Sequence, residues 1–327
     1  MRIFLCSILV FLLSVTTFAL PGLNEKDKQE AEALVVAAAN AVDIRQDPAK
    51  PFELKARIIT KDFGEGSYVL DWRSRDKWRE TITLPKFGQL KLRNGDQSWT
   101  QRNPVVPAAI FPEIVKVLGL TAPSIARSIS VESVKNVSVN GHAMKCIKTS
   151  RKIKDADKAS HSEECVDVST GLLAQRKLGD QIVEFGDYIT FETKHFPGSI
   201  QSTHDETAFE IRVDSLKSAD IDESQFAGIA GVEPWKTCDE IQPPHSIDHP
   251  EPEYSESAKK RKIQGKVVLF AVIGTDGKTH DLEVAKSLET SLDEESLKAV
   301  RKWNYKPAQC GDKPVPYETQ VVMEFHL

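Results

Sequence analysis

Short strand-like segments separated by turn residues fill most of the chain between residues 52 and 216, and this pattern limits its possible folds more than any other feature. Segments of about four to eight residues rich in apolar and β-branched side chains, bounded by Gly, Asn, Asp or Pro, are typical of antiparallel strands. The predicted strands are Phe52–Thr60, Ser67–Trp72, Trp78–Leu84, Gln89–Leu92, Gln97–Thr100, Val131–Val139, Ala143–Thr149, Cys165–Val168, Leu172–Lys177, Ile182–Phe185, Tyr188–Phe196 and Ala208–Leu216. The sequence therefore predicts one long antiparallel sheet.

Two helices accompany the predicted sheet. Asn24–Val42 has apolar residues at helical spacing, and Pro107–Leu118 is predicted to be a helical insertion. Asn94-Gly95 indicates a hairpin with a type I′ turn, which needs positive φ at both central positions, and Asn140-Gly141 indicates a second hairpin. Lys152–Ser162 has no apolar periodicity, so we expect a mobile loop there.

The last part of the chain has a different order of elements, helix–strand–strand–helix–strand. The predicted elements are a helix Tyr254–Lys262 stopped by Gly265, strands Val267–Ile273 and Thr279–Ala285, a helix opened by a Ser291–Glu294 capping box, and a closing strand Thr319–Leu327. The predicted fold class is α+β. An antiparallel β domain with helices spans residues 24–236, a linker spans 237–252, and a small α-β-β-α-β domain spans 253–327. Four prolines in the linker favour an extended polyproline conformation.

The N-terminus carries an apolar run, Ile3–Leu20, after a short positive start. Small residues near Ala19 predict a secretory signal over residues 1–19, cleaved after Ala19. The alternative is an uncleaved membrane anchor, since the run is close to the minimum length that spans a bilayer. The first prediction gives an exported periplasmic protein, and the second gives one tethered to the inner membrane.

The cysteines agree with export. Besides Cys6 in the apolar run, the chain has Cys146, Cys165, Cys238 and Cys310. Four cysteines allow three pairings, and sequence alone does not choose among them. Their spacing favours one bridge per domain, Cys146–Cys165 and Cys238–Cys310, which an oxidising compartment permits. A metal site is the weaker alternative, because no C-x-x-C pair or His at zinc spacing accompanies them.

Charge and motif content argue against two classes of function. The net charge of −5 and the absence of a basic stripe give no support for nucleic-acid binding. No G-x-S-x-G, phosphate-binding loop or H-E-x-x-H motif is present, so we predict neither an enzyme nor a cofactor. His161 lies near Glu163, Glu164 and Cys165, but a solvated loop beside a disulfide explains this group better than a metal or nucleophile site.

An ordered set of motifs in the last 75 or so residues resembles the TonB C-terminal domain family. The motifs are Tyr254-x-x-x-Ala258, Gln264-Gly265-Lys266-Val267-Val268, Thr275-Asp276-Gly277-Lys278, Leu292-Asp293-x-x-x-Leu297-x-Ala299-Val300-x-x-Trp303-x-Tyr305-x-Pro307 and Lys313-Pro314-Val315. Ser255 is a departure, because the family usually has proline after the tyrosine. That difference affects the entry into the first helix only.

The resemblance implies a partner-binding module that captures a short extended peptide as an added strand. The expected partner is a TonB-dependent outer-membrane receptor or another envelope protein, and the expected edge is Val321, Val322, Met323, Glu324 and Phe325. The alternative for Val321, Met323 and Phe325 is that their side chains only close the core. Family members transmit energy for transport. Whether this chain does so depends on the fate of residues 1–19, which the sequence leaves open.

The first domain is similar to the half-barrel of LolA-type lipoprotein carriers. The residues that carry this similarity include Leu70-x-Trp72, Lys77-Trp78-Arg79-Glu80, Asn94-Gly95-Asp96, Trp99, Thr170-Gly171-Leu172-Leu173, Phe196-Pro197 and Asp222-x-x-x-Phe226. The similarity implies an apolar face that takes an acyl chain, lined by Trp72, Trp78 and Trp99. Ordinary core packing is the alternative for each tryptophan.

Two other functions therefore stay open beside strand addition. One is a carrier of lipid or lipoprotein that uses the C-terminal domain for docking. The other is an envelope scaffold that dimerises through Val268, Phe270 and Val272. The sequence predicts no oligomeric state.

Overall fold

The larger part of the chain forms a single 13-stranded antiparallel sheet. The computed structural model describes residues 23–46, 50–61, 63–103, 110–120, 129–139, 141–151, 160–204, 207–238 and 241–327. Helix α1 is Glu25–Val42, and strands β1–β5 are Phe52–Thr60, Gly64–Ser74, Lys77–Leu84, Phe87–Asn94 and Gln97–Asn103. Helix α2, Phe111–Leu120, follows. Strands β6–β15 are Ser130–Val139, His142–Arg151, Ser160–Asp167, Leu173–Leu178, Gln181–Gly186, Ile189–Phe191, Lys194–Phe196, Ser199–His204, Thr207–Ser218 and Trp235–Lys236.

The strand order is β15-β5-β4-β3-β2-β1-β14-β13-β10-β9-β8-β7-β6, with β11 and β12 forming a separate hairpin. The two helices pack on one face of this sheet, which we call the helix-covered face. Ile110, Phe111 and Ile114, at the start of α2, are buried in the main core with Phe52 and Leu54 of β1. Helix α1 is packed further along, where Ala31 and Val35 form a cluster with Ile147 of β7.

The opposite face has a smaller core near the β15 end of the sheet. Leu92 and Trp99, directly opposite each other on β4 and β5, pack with Ile221 and Phe226. Phe226 ends a 3₁₀ turn, Glu223–Phe226, which Asp222 caps by accepting a hydrogen bond from the N–H of Ser224. The sheet therefore has apolar clusters on both faces, although the helices lie on one.

Most predicted strands are confirmed, and β1 matches to the residue. The Asn94-Gly95 hairpin is present, but its turn is shifted by one residue. Asn94 still pairs with Gln97, so the loop residues are Gly95 and Asp96, and only Gly95 has positive φ. The type I′ assignment is therefore wrong, because that turn needs positive φ at both loop residues.

Three other predictions for this domain need correction. The predicted loop Lys152–Ser162 is wrong at its end, because β8 begins at Ser160, and residues 152–159 lie outside the described residues. Tyr188–Phe196 is two short strands with a turn, at which Glu192 has positive φ. Strand β13, Ser199–His204, was not predicted, since its polar side chains give little alternation. The turn at Asn140 lies outside the described residues.

The C-terminal domain has the predicted α-β-β-α-β order, with short strands added. Its elements are α3 Glu256–Arg261, β18 Gly265–Ile273, β19 Thr279–Lys286, α4 Thr290–Val300, β20 Asn304–Lys306, β21 Ala308–Cys310, β22 Lys313–Val315 and β23 Tyr317–Phe325, preceded by β16 Ile241–Gln242 and β17 His245–Asp248. Strands β19-β18-β23 form one sheet, and its core is closed by α3 and α4 through Ala258, Leu292 and Val300.

The ends of the two C-terminal helices differ from the prediction. The N-cap of α4 is Glu289, which accepts hydrogen bonds from the N–H groups of Ser291 and Leu292, so Ser291 is not the cap. Helix α3 ends one turn before Gly265, with Lys262 as a left-handed C-cap. Ser255 caps the start of α3 by accepting from the N–H of Ala258, which explains how a serine serves at the position of the expected proline.

The prediction of a separate extended linker is wrong in one respect, because part of this segment pairs with strands of the C-terminal domain. Strand β16 pairs with β21, and β17 pairs with β20. Disulfide Cys238–Cys310 joins the start of this segment to β21, and Cys146–Cys165 joins β7 to β8, so both favoured pairings are confirmed. The segment from 241 to 248 is thus held against the domain that follows it.

The predicted signal or anchor, residues 1–19, lies outside the described residues. Among the described helices, none has the length and apolarity needed to cross a membrane.

Candidate functional site

Strand β23 is an outer strand of the C-terminal sheet. In the described part of the chain it pairs with β18 alone, over nine residues from Gly265↔Phe325 to Ile273↔Tyr317. Side chains alternate along it: Val321, Met323 and Phe325 are buried, whereas Glu324 is exposed and Val322 is 55% exposed. The buried side chains close the core, while the outer row of backbone groups stays available for pairing.

The other outer strand, β19, is less regular. Its register with β18 shifts twice, between Val268 and Leu269 and between Phe270 and Val272, whereas β23 pairs with β18 without a shift. A bulge twists a strand and interrupts its row of N–H and C=O groups. Strand β23 is therefore the better template for an added strand.

Packing beneath β23 fixes the edge in place. The ring of Tyr254 meets that of Phe325 edge to face, with centroids 5.4 Å apart, and the Tyr254 hydroxyl donates to the carbonyl oxygen of Ile263. Val267 and Leu269 of β18, both fully buried, lie beside Met323 and Val321. An ordered edge is needed for strand addition, because a mobile strand would lose conformational entropy on binding.

A cleft of about 1130 Å³ lies where the two domains meet. One wall is the helix-covered face of β3–β5 with α2, and the other includes Phe270 and the stretch from Val315 to Gln320. Arg102 of β5 crosses to Glu318 of β23 in a two-pronged ion pair, with N–O distances of 2.7 and 2.5 Å. Their side chains are 13% and 39% exposed, so this contact between domains is partly shielded from water.

The face predicted to mediate dimerisation borders this cleft. Phe270 is buried and lines the cleft, and Val268 and Val272 are half-buried. This leaves little apolar surface on that face for a second copy of the chain.

The three predicted lipid-contact tryptophans do not share one surface. Trp72 and Trp78 are opposite each other on β2 and β3, on the helix-covered face. Trp72 is 6% exposed and stacked near Phe52, whereas Trp78 is half-buried and lines the cleft. Trp99 packs on the opposite face with Leu92, so the prediction that it lines the same surface is wrong. The register of β4 and β5 decides the face of the sheet to which Trp99 points, and this register could not be predicted from the sequence.

A buried ion pair lies away from the cleft, under the helix-covered face. Glu164 of β8 and Arg176 of β9 are directly opposite, with an N–O distance of 3.4 Å. Burial raises the pKa of Glu164 and lowers the pKa of Arg176, although the attraction between them opposes both shifts. The described residues contain no cluster of His, Cys, Asp and Glu that could hold a metal ion.

The cleft was missed in the sequence, and so were Arg102 and Glu318. These two residues are 216 positions apart in the sequence, and neither belongs to a local motif. The basic side chains of β4, Lys91 and Arg93, alternate with Leu90 and Leu92, which signals a polar strand face. The partner of that face could not be found without the tertiary structure.

Comparison with known proteins agrees with the C-terminal geometry. Residues 250–327 match the family described as Gram-negative bacterial TonB protein C-terminal. The C-terminal domain is TonB-like. Protein tonB2 of Pseudomonas aeruginosa is 33% identical over 82 residues, which are 25% of this chain and 30% of that protein. The chain thus spans less than a third of this relative's length.

Two solved structures are similar to the chain at low identity. A LolA superfamily protein from Nitrosomonas europaea has a TM-score of 0.41 at 14% identity, over 59% of this chain and 96% of that one. A DUF1329 family protein from Desulfovibrio piger has a TM-score of 0.42 at 12% identity, over 61% and 96%. Similarities this distant give no information about ligands.

Proposed function

We propose that this protein is an exported envelope protein whose C-terminal domain binds an extended segment of a partner by adding it as a strand to β23. The observation that carries the proposal is the regular outer edge of β23, with which no strand of the described ranges pairs and which is packed from below by the domain core. Strand addition needs such an ordered row of unpaired backbone groups. The TonB-like character of residues 250–327 supports an outer-membrane receptor as the partner.

Two disulfides support the location. Cys146–Cys165 and Cys238–Cys310 use all the cysteines of the described residues, and such bonds persist in oxidising compartments such as the periplasm. We propose that the chain divides into a domain at 24–236, a docked linker at 237–252 and the binding domain at 253–327. The function is binding, without catalysis.

The lipid-carrier alternative has weaker support. An acyl chain lying along the sheet beneath α2 would have to replace this helix, whose Ile114 and Val117 are fully buried in the main core. Trp72 is packed into the same core and is not open to a ligand.

Disulfide cross-linking tests the strand addition. Peptides that bind the full chain are first selected from a random 12-residue displayed library. Val322→Cys, in a Cys6→Ser background, is then incubated with versions of one selected peptide that each carry a single cysteine. A strand paired with β23 places one peptide residue opposite position 322, with Cβ atoms about 5 Å apart, and its two neighbours on the other face.

We expect cross-linking at one peptide position, weaker reaction two residues away and none at the adjacent positions. The matched control is Glu283→Cys, an exposed position on β19. Cross-links that follow no period of two, or equal reaction at 283, would contradict strand addition at β23.

A further inference from the structure

The cleft between the domains meets β23 along its open edge. Four consecutive residues, Tyr317, Glu318, Thr319 and Gln320, all line the cleft. Successive side chains of a strand point to opposite faces, so a cleft that touched one face would contact alternate residues only. Phe270 of β18 also lines the cleft, so the cleft covers that face of the sheet and reaches round the edge of β23 at 317–320, next to the proposed binding edge at 321–325.

The walls of the cleft carry an excess of basic side chains. Among the described residues that line it, Lys91, Arg93, Arg102, Lys116 and Lys236 are basic, and Glu233 and Glu318 are acidic. Glu318 pairs with Arg102, and Lys116 lies 3.8 Å from Glu113 outside the lining, so the described lining keeps more basic than acidic side chains. Since the whole chain has a net charge of −5, this local excess of positive charge runs against the overall balance.

Apolar and aromatic groups lie between these charges. The Lys91 ammonium is 5.9 Å from the centre of the Trp78 ring. Val115, Trp235 and Ile241 are among the exposed large apolar side chains, and all three line the cleft. A surface that alternates cations with exposed aromatic and aliphatic groups fits a ligand that carries both carboxylates and apolar side chains.

The sheet edges favour a peptide as that ligand. Strand β15, Trp235–Lys236, is the last strand of the large sheet and also lines the cleft. Two outer strands from different sheets thus face the same space, and both offer backbone groups that an extended peptide can pair with. An acyl chain would use none of them.

We infer that the cleft binds an acidic segment with apolar residues, adjacent in the same partner peptide to the segment that pairs with β23. The inference rests on the proposed strand addition and adds to it the chemistry of the partner. Strand pairing supplies sequence-independent contacts, and the cleft selects partners by charge.

Fluorescence anisotropy with labelled peptides tests the inference. Three peptides share one selected strand-pairing core and differ in a four-residue flank that is acidic, neutral or basic, placed on the side that enters the cleft. For wild type at low salt we expect the acidic flank to bind about tenfold tighter than the neutral one, and the basic flank to bind more weakly. Raising the salt concentration should reduce the difference.

The cleft variant is Lys91→Gln/Lys236→Gln, and the matched control is Lys260→Gln/Lys302→Gln, exposed lysines outside the cleft lining. The cleft variant should lose most of the preference for the acidic flank and keep the affinity for the neutral peptide, and the control should behave as wild type. Equal affinity for all three flanks overturns the inference and leaves strand addition intact. Failure of every selected peptide to cross-link at Val322→Cys overturns strand addition, and the inference with it. If phosphatidylglycerol vesicles displace the acidic peptide from wild type but not from the cleft variant, the cleft binds lipid and the inference is overturned.

Discussion

The buried pair Glu164–Arg176 gives a stability prediction that depends on pH. Both side chains are almost fully buried, 3% and 4% exposed, and they lie in a row across four strands between Ile147 and Val183, which are fully buried. Glu164 also accepts a hydrogen bond from Ser162 at 2.9 Å. Opposite charges at 3.4 Å attract by about 5 kcal/mol at an effective dielectric constant near 20. The cost of desolvating both groups offsets much of this.

Arg176→Met removes the cation and leaves the carboxylate buried beside Ser162 and Thr149, whose hydroxyls donate to it, without the charge of Arg176. The pKa of Glu164 is already raised by burial, and loss of Arg176 raises it further, because Arg176 opposes that shift. A folded-state pKa above the unfolded value gives stability that is present below the unfolded pKa and lost as pH rises through the folded one. We therefore expect Arg176→Met to cost about 3–5 kcal/mol at pH 8 and much less at pH 5.

Two other variants complete the cycle. Glu164→Gln leaves the guanidinium buried without the carboxylate and removes the titrating group. Because the raised pKa of Glu164 makes wild type lose stability as pH rises, the loss relative to wild type should be larger at pH 5 than at pH 8. The double variant Glu164→Gln/Arg176→Met has no buried charge and should fall within about 1.5 kcal/mol of wild type at pH 8. Lys148→Met is the exposed control, because its partner Glu132 is 3.2 Å away on the surface, and it should cost less than about 1 kcal/mol.

Equilibrium urea unfolding of the full chain measures these differences. Four of the five tryptophans precede residue 237, so their fluorescence reports mainly on the larger domain. A loss for Arg176→Met that is equal at pH 5 and pH 8 would refute the account of Glu164. A double variant as unstable as the sum of the single variants would show that the two charges do not compensate each other.

Three further predictions concern the contacts between and within the C-terminal elements. Arg102→Met should speed hydrogen exchange in the stretch around Glu318 with a stability loss below about 1 kcal/mol, since the ion pair is partly exposed; unchanged exchange would contradict its role between the domains. Glu289, whose pKa is lowered to about 2 by hydrogen bonds from Ser291 and Arg261, stabilises α4 above its unfolded pKa, so wild type should lose stability between about pH 4.5 and 2. Glu289→Gln should lack that part of the acid sensitivity in urea titrations. Cys238→Ser/Cys310→Ser removes a bond between residues 72 positions apart and should lower the free energy of unfolding by about 4 kcal/mol, with faster proteolysis in residues 241–248. A cleavage rate equal to that of wild type would argue against docking of the linker by this bond.

The sequence predicted the strands and helices whose formation depends on short-range apolar periodicity and on turn and cap residues. Strand β1 was predicted to the residue because its alternation of apolar and polar side chains has one buried face. The C-terminal element order was predicted because turns and helix ends carry recognisable residues. The α4 cap was misplaced because Glu289 and Ser291 are both reasonable caps, and the geometry that favours Glu289 includes Arg261 from α3.

Features that depend on pairing between distant segments could not be predicted. The prolines near residues 243 and 250 favour an extended chain, but they do not show that β16 and β17 pair with β21 and β20. The LolA-type resemblance implied that Trp78 and Trp99 line one surface, and only the β4–β5 register shows that they face opposite sides. The basic wall of the cleft likewise depends on bringing β4, β5, α2 and β15 together.

Hydrogen exchange at individual β23 amides, measured by NMR with and without a selected peptide, tests the central claim most directly. In a strand paired on one side, alternate N–H groups point to β18 and the others point outward. We expect the outward set between Tyr317 and Phe325 to become protected when the peptide binds, with no change in β19. Protection that appears on β19, or bound peptide that leaves the alternate β23 amides as fast as before, would contradict strand addition at this edge.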